Sequence, residues 1–142
     1  MSLKGFRTRL ENVPEVKTPN GIGLQIPVHA EVTGPSKEAP VSLFVITFPP
    51  GVASPPHSHE SDEYEYVLSG TGKLDSGDEK GIPLVPNTIA YNPKGIRHQI
   101  ENTGSEPLKL LKVHVPPVTP HGPEDVFTTQ AIEAAKEAFK GA

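Results

Sequence analysis

The sequence predicts an all-β domain, a sandwich or barrel of short strands with one short helix near the C-terminus, and three observations predict it. Apolar or alternating stretches recur between residues 24 and 115, separated at short, regular intervals by Gly, Pro or Asn turns. The chain carries 17 Pro and 13 Gly among 142 residues, enough to interrupt long helices while staying below low-complexity levels. Helical periodicity shows only at the end, over about residues 129–139.

Taken in order, Asn20-Gly21 marks a turn ahead of a first strand over 24–30, in which Leu24, Ile26, Val28 and Ala30 share a face. Pro27 lacks a backbone donor and points to an edge position. A polar loop covers 33–40. Residues 41–48 are β-branched and aromatic on both faces, the pattern of a central strand. After a Pro-rich turn at 49–56, strands are expected at 63–68, 71–75, 82–85, 88–92, 97–101 and 108–115. Thr129 is read as the cap of the final helix, with Ile132, Ala135 and Phe139 on its buried face.

A length of 142 residues suits one domain over 1–142, its barrel core at about 24–115. With no cysteine, disulfides, thiolate metal sites and a nucleophilic thiol are excluded, leaving His, Asp and Glu to bind any transition metal. The N-terminus has no apolar run of signal length and no segment approaches the roughly 18 apolar residues of a membrane span, so the expectation is a soluble, cytoplasmic protein with no membrane partner. A net charge of −4 with both signs interspersed offers no basic stripe for nucleic-acid phosphates.

Two segments carry chemistry. In Gly51-Val-Ala-Ser-Pro-Pro-His57-Ser-His59-Glu-Ser-Asp-Glu63 the two histidines stand two residues apart, and extended backbone points both imidazoles the same way. A turn at 60–62 brings the Glu63 carboxylate back to the same point. In Pro93-Lys-Gly95-Ile-Arg-His98 a Pro/Gly turn leads into a strand with one histidine on a face, the natural fourth ligand. Imidazoles with a carboxylate suit one divalent ion of Fe, Mn, Ni, Cu or Zn, and four protein ligands leave positions open on a six-coordinate ion.

These segments resemble the two motifs of the cupin superfamily, G-x5-H-x-H-x3-E-x6-G and G-x5-P-x-G-x2-H-x3-N. The first matches at Gly51, His57, His59, Glu63 and Gly70, the second at Pro93, Gly95, His98 and Asn102. Asn87 replaces the leading Gly of the second, and because asparagine tolerates left-handed backbone the turn is expected to survive. The resemblance implies a jelly-roll barrel (double-stranded β-helix), metal binding by His57, His59, Glu63 and His98, and a homodimer.

Strand alternation puts Glu65 inward beside Glu63, a candidate catalytic residue that is a base near the metal, an alternative ligand, a substrate contact or a satisfied polar residue. Ile100 and Tyr91 are candidate substrate contacts, Ile100 from its face and Tyr91 from its hydroxyl. Tyr64 and Tyr66 alternate to the outer face. His29, on a polar face with Gln25, and His114, opposite Leu111, Val113 and Val115, are read as surface or interface histidines, and His121 as a loop residue without a catalytic role.

The leading expectation is a small metal-dependent oxidoreductase, a dioxygenase acting on a small organic molecule. A metal-dependent sugar isomerase or epimerase, or a lyase, needs only Lewis-acid chemistry. From another class, a non-catalytic cupin would bind or store a small ligand.

Overall fold

The computed structural model describes residues 6–29, 32, 41–120 and 125–140. Ala30, the loop at 33–40 and His121 lie outside them. Among the described residues, nine strands form two antiparallel sheets: β1 (Val16–Lys17), β2 (Gly23–Val28), β3 (Ser42–Phe48), β4 (Asp62–Ser69), β5 (Gly72–Ser76), β6 (Glu79–Leu84), β7 (Ile89–Asn92), β8 (His98–Asn102) and β9 (Leu108–Val115). The six-stranded sheet runs β1-β2-β3-β9-β4-β7 and the three-stranded sheet β6-β5-β8, a jelly-roll arrangement.

Residues 51–57 extend the smaller sheet without forming a full strand. The Gly51 and Ser54 amides donate to the Asn102 and Ile100 carbonyls, and His57 and His98 exchange both backbone hydrogen bonds, at 3.0 and 2.8 Å. A pair that exchanges both bonds stands side by side with its side chains on one face. That pairing sets the first motif against the second.

Phe48, Leu84, Leu108 and Leu110 are fully buried between the sheets, with Ile26, Val67, Leu74 and Ile100 nearly so. The turns keep the backbone that the motif spacing demands. Gly70 lies at φ 84°, where an added Cβ would fall 2.3 Å from the Pro107 carbonyl oxygen. Asn87 lies at φ 73°, and its side-chain carbonyl accepts the Tyr66 hydroxyl proton. The substitution of Asn for Gly therefore preserves the left-handed turn.

Three expectations are corrected. Pro27 is not on an edge strand: β2 is second in its sheet, and Pro27 falls in the register break between Gln25 and Val28, where a bulge makes no demand for its missing donor. The helix, α1, spans Val126–Ala138, and the Asp125 carboxylate, not Thr129, caps it by accepting the Thr128 amide at 3.2 Å. Its buried face includes Ile132 and Ala135, and Phe139 packs edge-on against Phe6. Gln25 and His29 are buried, because Gln25 donates to the Leu10 and Val13 carbonyls and His29 to the Val118 carbonyl, so each polar group has a partner inside. Among the described residues, no helix is long and apolar enough to cross a membrane.

Candidate metal centre

Four elements bring the site together. The 51–57 segment supplies His57, the connection into β4 supplies His59, β4 supplies Glu63 and Glu65, and β8 opens with His98. Ligand atoms of His57, His59 and His98 all lie within 4.8 Å of one another, as do those of His59, Glu63 and His114. Glu63 Oε2 lies 3.0 Å from His98 Nε2 and 3.7 Å from His59 Nε2. Around an ion with bonds near 2.1 Å, neighbouring donor atoms stand about 3 Å apart and opposed ones about 4.2 Å apart, so this His/Glu group is able to bind a metal.

The imidazoles are oriented from behind. His57 Nδ1 donates to the Pro55 carbonyl at 2.8 Å and His98 Nδ1 to the Ile96 carbonyl at 3.1 Å, which turns each Nε2 toward the shared point. Burial lowers the pKa of His59 to about 3, against the pull of Glu63 in the other direction. A neutral imidazole keeps the lone pair that coordination uses.

Two residues that sequence reasoning missed complete the centre. Strand β9 pairs with β4 so that His114 stands opposite Glu63 and Lys112 opposite Glu65. Lys112 Nζ is 2.8 Å from Glu63 Oε1 and 3.0 Å from Glu65 Oε1, and His114 Nε2 donates to Glu63 Oε1 at 3.0 Å. From the other side β7 contributes Asn92, whose amide donates to Glu63 Oε2 at 3.2 Å.

His114 is thus corrected from a surface histidine to one only 2% exposed. Leu108, Leu110, Lys112 and His114 form the inner face of β9, while Leu111 and Val113 are half-buried outside. Two buried carboxylates call for buried donors, and this is the signal that would have found them: Glu63 and Glu65 share a face at i, i+2, as do Lys112 and His114.

The charges are set by burial and by one another. Burial pushes the Glu63 carboxyl up, but the Lys112 ammonium and hydrogen bonds from His114 and His98 overcome it and hold Glu63 well below the usual range. Burial dominates at Glu65 and raises its pKa despite Lys112. Burial also lowers His114, while the two carboxylates outweigh burial at Lys112 and hold its ammonium charged.

A cavity of about 590 Å³ meets this cluster. His57, His59, Glu63, Lys112 and His114 line its polar part, and Ile26, Phe44, Ile46, Phe48, Val118 and Phe127 much of the rest. The exposed lining residues Pro19, Asn20, Pro55 and Pro56 mark its open side. Two candidate contacts are corrected. Tyr91 lies on the outer face, stacked on Tyr64 with ring centroids 5.1 Å apart, and its hydroxyl donates to Asp62. Ile100 is in the sealed core and outside the cavity lining, because its inward direction carries it between the sheets beside Leu74, opposite which it pairs.

The family model for the cupin domain matches residues 44–114. An uncharacterized protein of Methanocaldococcus jannaschii is 30% identical over 118 residues, covering 82% of this chain and 91% of that one. Auxin-binding protein 1 of Arabidopsis thaliana is 32% identical over 81 residues, 51% of this chain, and the match spans 41% of the plant protein's length. Among solved structures, a Thermotoga maritima protein described as a predicted oxalate decarboxylase superposes with a TM-score of 0.64 at 23% identity, over 78% of this chain and 99% of that one.

Proposed function

The chain belongs to the cupin family, and from that premise we propose that His57, His59, Glu63 and His98 hold one divalent transition-metal ion and that the protein is a metal-dependent dioxygenase acting on a small organic molecule. One observation carries this reading: the imidazoles of His57, His59 and His98 stand at ligand spacing with the Glu63 carboxylate beside them, and His57, His59 and Glu63 line the polar part of a cavity whose remaining wall is largely apolar. When bound, the ion supplies Lewis acidity and electron exchange with dioxygen.

The protein's own groups divide the remaining work. Lys112 and His114 occupy Glu63 Oε1 and so direct Oε2 toward the imidazoles. The backbone carbonyls of Pro55 and Ile96 hold the rings of His57 and His98 in the coordinating tautomer. Phe44, Ile46 and Phe48 exclude water from the side of the cavity they line. Glu65, raised by burial and so the more readily protonated of the two carboxyls, pairs with Lys112 behind the cavity lining. A sugar substrate is disfavoured, since its hydroxyls would meet few partners along that wall.

The experiment is oxygen consumption by protein loaded with Fe(II), followed with an electrode across a panel of small aromatic and aliphatic acids, phenols and diols. Substrate-stimulated uptake that disappears in His98→Ala supports the reading. No uptake with any compound overturns it. A second reading, non-catalytic binding of a small ligand, is favoured by the likeness to a relative named for auxin binding. Saturable binding of a compound recovered unchanged from the loaded protein would select it.

A further inference from the structure

Resting on the metal site proposed above, we propose that the cavity has a second recognition point in the first turn of α1. There the Thr128 hydroxyl takes one neutral hydrogen-bonding group, a hydroxyl or a carbonyl, at the end of the ligand away from the metal. The ligand is thus an apolar body with a polar atom at its far end. The placement of Thr128 and the engagement of the other polar groups in that wall carry this.

Helix α1 packs on β2 and β1 with Thr128, Ala131, Ile132 and Ala135 along its buried face, positions three and four apart that share one side of a helix. Threonine is a poorer helix former than alanine, because its branched side chain is stiff, so helix stability alone does not call for it there. Thr128 is only 9% exposed and lines the cavity with Phe127. Its backbone amide goes to the Asp125 cap, while its hydroxyl has no hydrogen-bond partner among the described residues. Buried hydroxyls are normally matched, and an unmatched one costs free energy that a ligand group can recover. The other polar side chains away from the metal cluster are already engaged or at the rim. Thr18 donates to Asn20 and accepts the Ile22 amide, Ser54 accepts the Ile100 amide, and Asp125 caps α1. Asn20 stands exposed at the open side.

The rest of that wall is apolar, with Ile26, Phe44, Phe48, Val118 and Phe127 lining the same space. A ligand body gains by displacing water from such surface only if it is itself apolar, so one hydroxyl is matched where several would go unpaired. A threonine hydroxyl both donates and accepts, which is why a ligand hydroxyl or carbonyl serves equally. The volume of about 590 Å³ lies within the roughly 300–1,000 Å³ range of small-molecule pockets, ample for a ring with its substituents. Position in the chain separates the two recognition points. The proposed metal ligands fall inside residues 44–114, the span matched by the cupin domain model, whereas Ile26, Val118, Phe127 and Thr128 fall outside it. The matched part of the fold holds the ion, and the segments that flank it read the far end of the ligand.

The test is isothermal titration calorimetry of the Zn(II)-loaded protein with 4-phenylimidazole, a neutral probe whose ring nitrogen anchors it on the ion. Its 3- and 4-hydroxyphenyl analogues are compared with the 3- and 4-methylphenyl ones. At least one hydroxyl probe is expected to bind about fivefold or more tightly than the methyl probe of the same position. Thr128→Val keeps the side-chain shape, removes the hydroxyl and should abolish that preference, leaving 4-phenylimidazole itself within about twofold. Thr128→Ala, which suits a helix, is the second hydroxyl-free variant, and Thr128→Ser should retain the preference. The proposal is overturned if no hydroxyl probe outranks its methyl partner, if the preference survives in the Val and Ala variants, or if no probe binds. Zinc content is read beforehand by elemental analysis, which separates this failure from that of the metal site. Protein that takes up no zinc fails the metal site and this proposal with it, whereas zinc-loaded protein without a hydroxyl preference fails this proposal alone. A hydroxyl preference lost in the Val variant, with no oxygen uptake from any compound, fails only the dioxygenase reading.

Discussion

Lys112 stands directly across the β4–β9 ladder from Glu65 and also reaches Glu63, its ammonium 3.0 Å from one carboxylate and 2.8 Å from the other. All three side chains are buried. One cation thus compensates two acids, and neither acid can be understood without it.

Removing that cation should be costly. Lys112→Met leaves two carboxylates a few ångströms apart in a dry interior and is expected to destabilise the metal-free protein by about 3–5 kcal/mol in urea unfolding. Adding Glu65→Gln to that variant should recover part of the loss. Additive effects of the two changes would show that the pair is not coupled.

His114 acts on the metal through Glu63. His114→Ala removes one of the two donors on Glu63 Oε1 and leaves Lys112, and metal affinity should fall by about ten- to a hundredfold, measured by competition with a chromophoric chelator. His57→Ala and His98→Ala, which remove proposed ligands outright, should fall further and purify with less than one equivalent of metal by elemental analysis. Near-stoichiometric metal in both would contradict the assignment.

Acid should loosen the metal-free protein from a defined pH. His59 is held neutral down to about pH 3 in the folded chain against an ordinary value of 6.5, so the unfolded chain binds more protons across that window and stability is lost as pH falls through it. His114, also lowered, works in the same direction. Glu63, held well below the carboxylate range, extends the loss to lower pH as it protonates. Glu65 opposes it, since a raised carboxyl favours the folded state only while protonated and its contribution fades as pH rises. Thermal melting in the presence of a chelator should show a midpoint that drops steadily below about pH 6.5, with a shallower slope in His59→Asn. An unchanged slope would speak against a buried neutral His59.

The left-handed turn at Asn87 can be tested on its own. A β-branched side chain at φ 73° meets its own carbonyl, so Asn87→Val should cost about 1–2 kcal/mol, with the lost Tyr66 hydrogen bond adding to it. Differential scanning calorimetry measures the change, and an unaltered transition would mean the turn relaxes to negative φ.

Much of the barrel was legible because alternation and turn residues are local signals. Strands expected at 63–68 and 97–101 appear at Asp62–Ser69 and His98–Asn102, displaced only at their ends. The convergence of His57, His59, Glu63 and His98 was legible from spacing and motif. What was hidden depends on which strand lies beside which. In β9, Leu108 and Leu110 lie on one face and Leu111 and Val113 on the other, so hydrophobicity does not say which faces in. Lys112 and His114 then look like an outer face until β4 is placed alongside with Glu65 and Glu63 in register. The same holds for His29, whose buried partner is the Val118 carbonyl 89 residues away. Strand β1 has two residues, too few to show any period.

The proposed ligands are divided between the two sheets: Glu63 belongs to the six-stranded one, His98 to the three-stranded one, and His57 is clasped to His98 through the backbone. An ion held there acts as a rivet through the layers, because the sheets cannot part without breaking bonds to it. Its binding energy is then also energy of closure, and the melting temperature should climb with the logarithm of free metal concentration. The heat resistance of the barrel would then follow the metal supply around it.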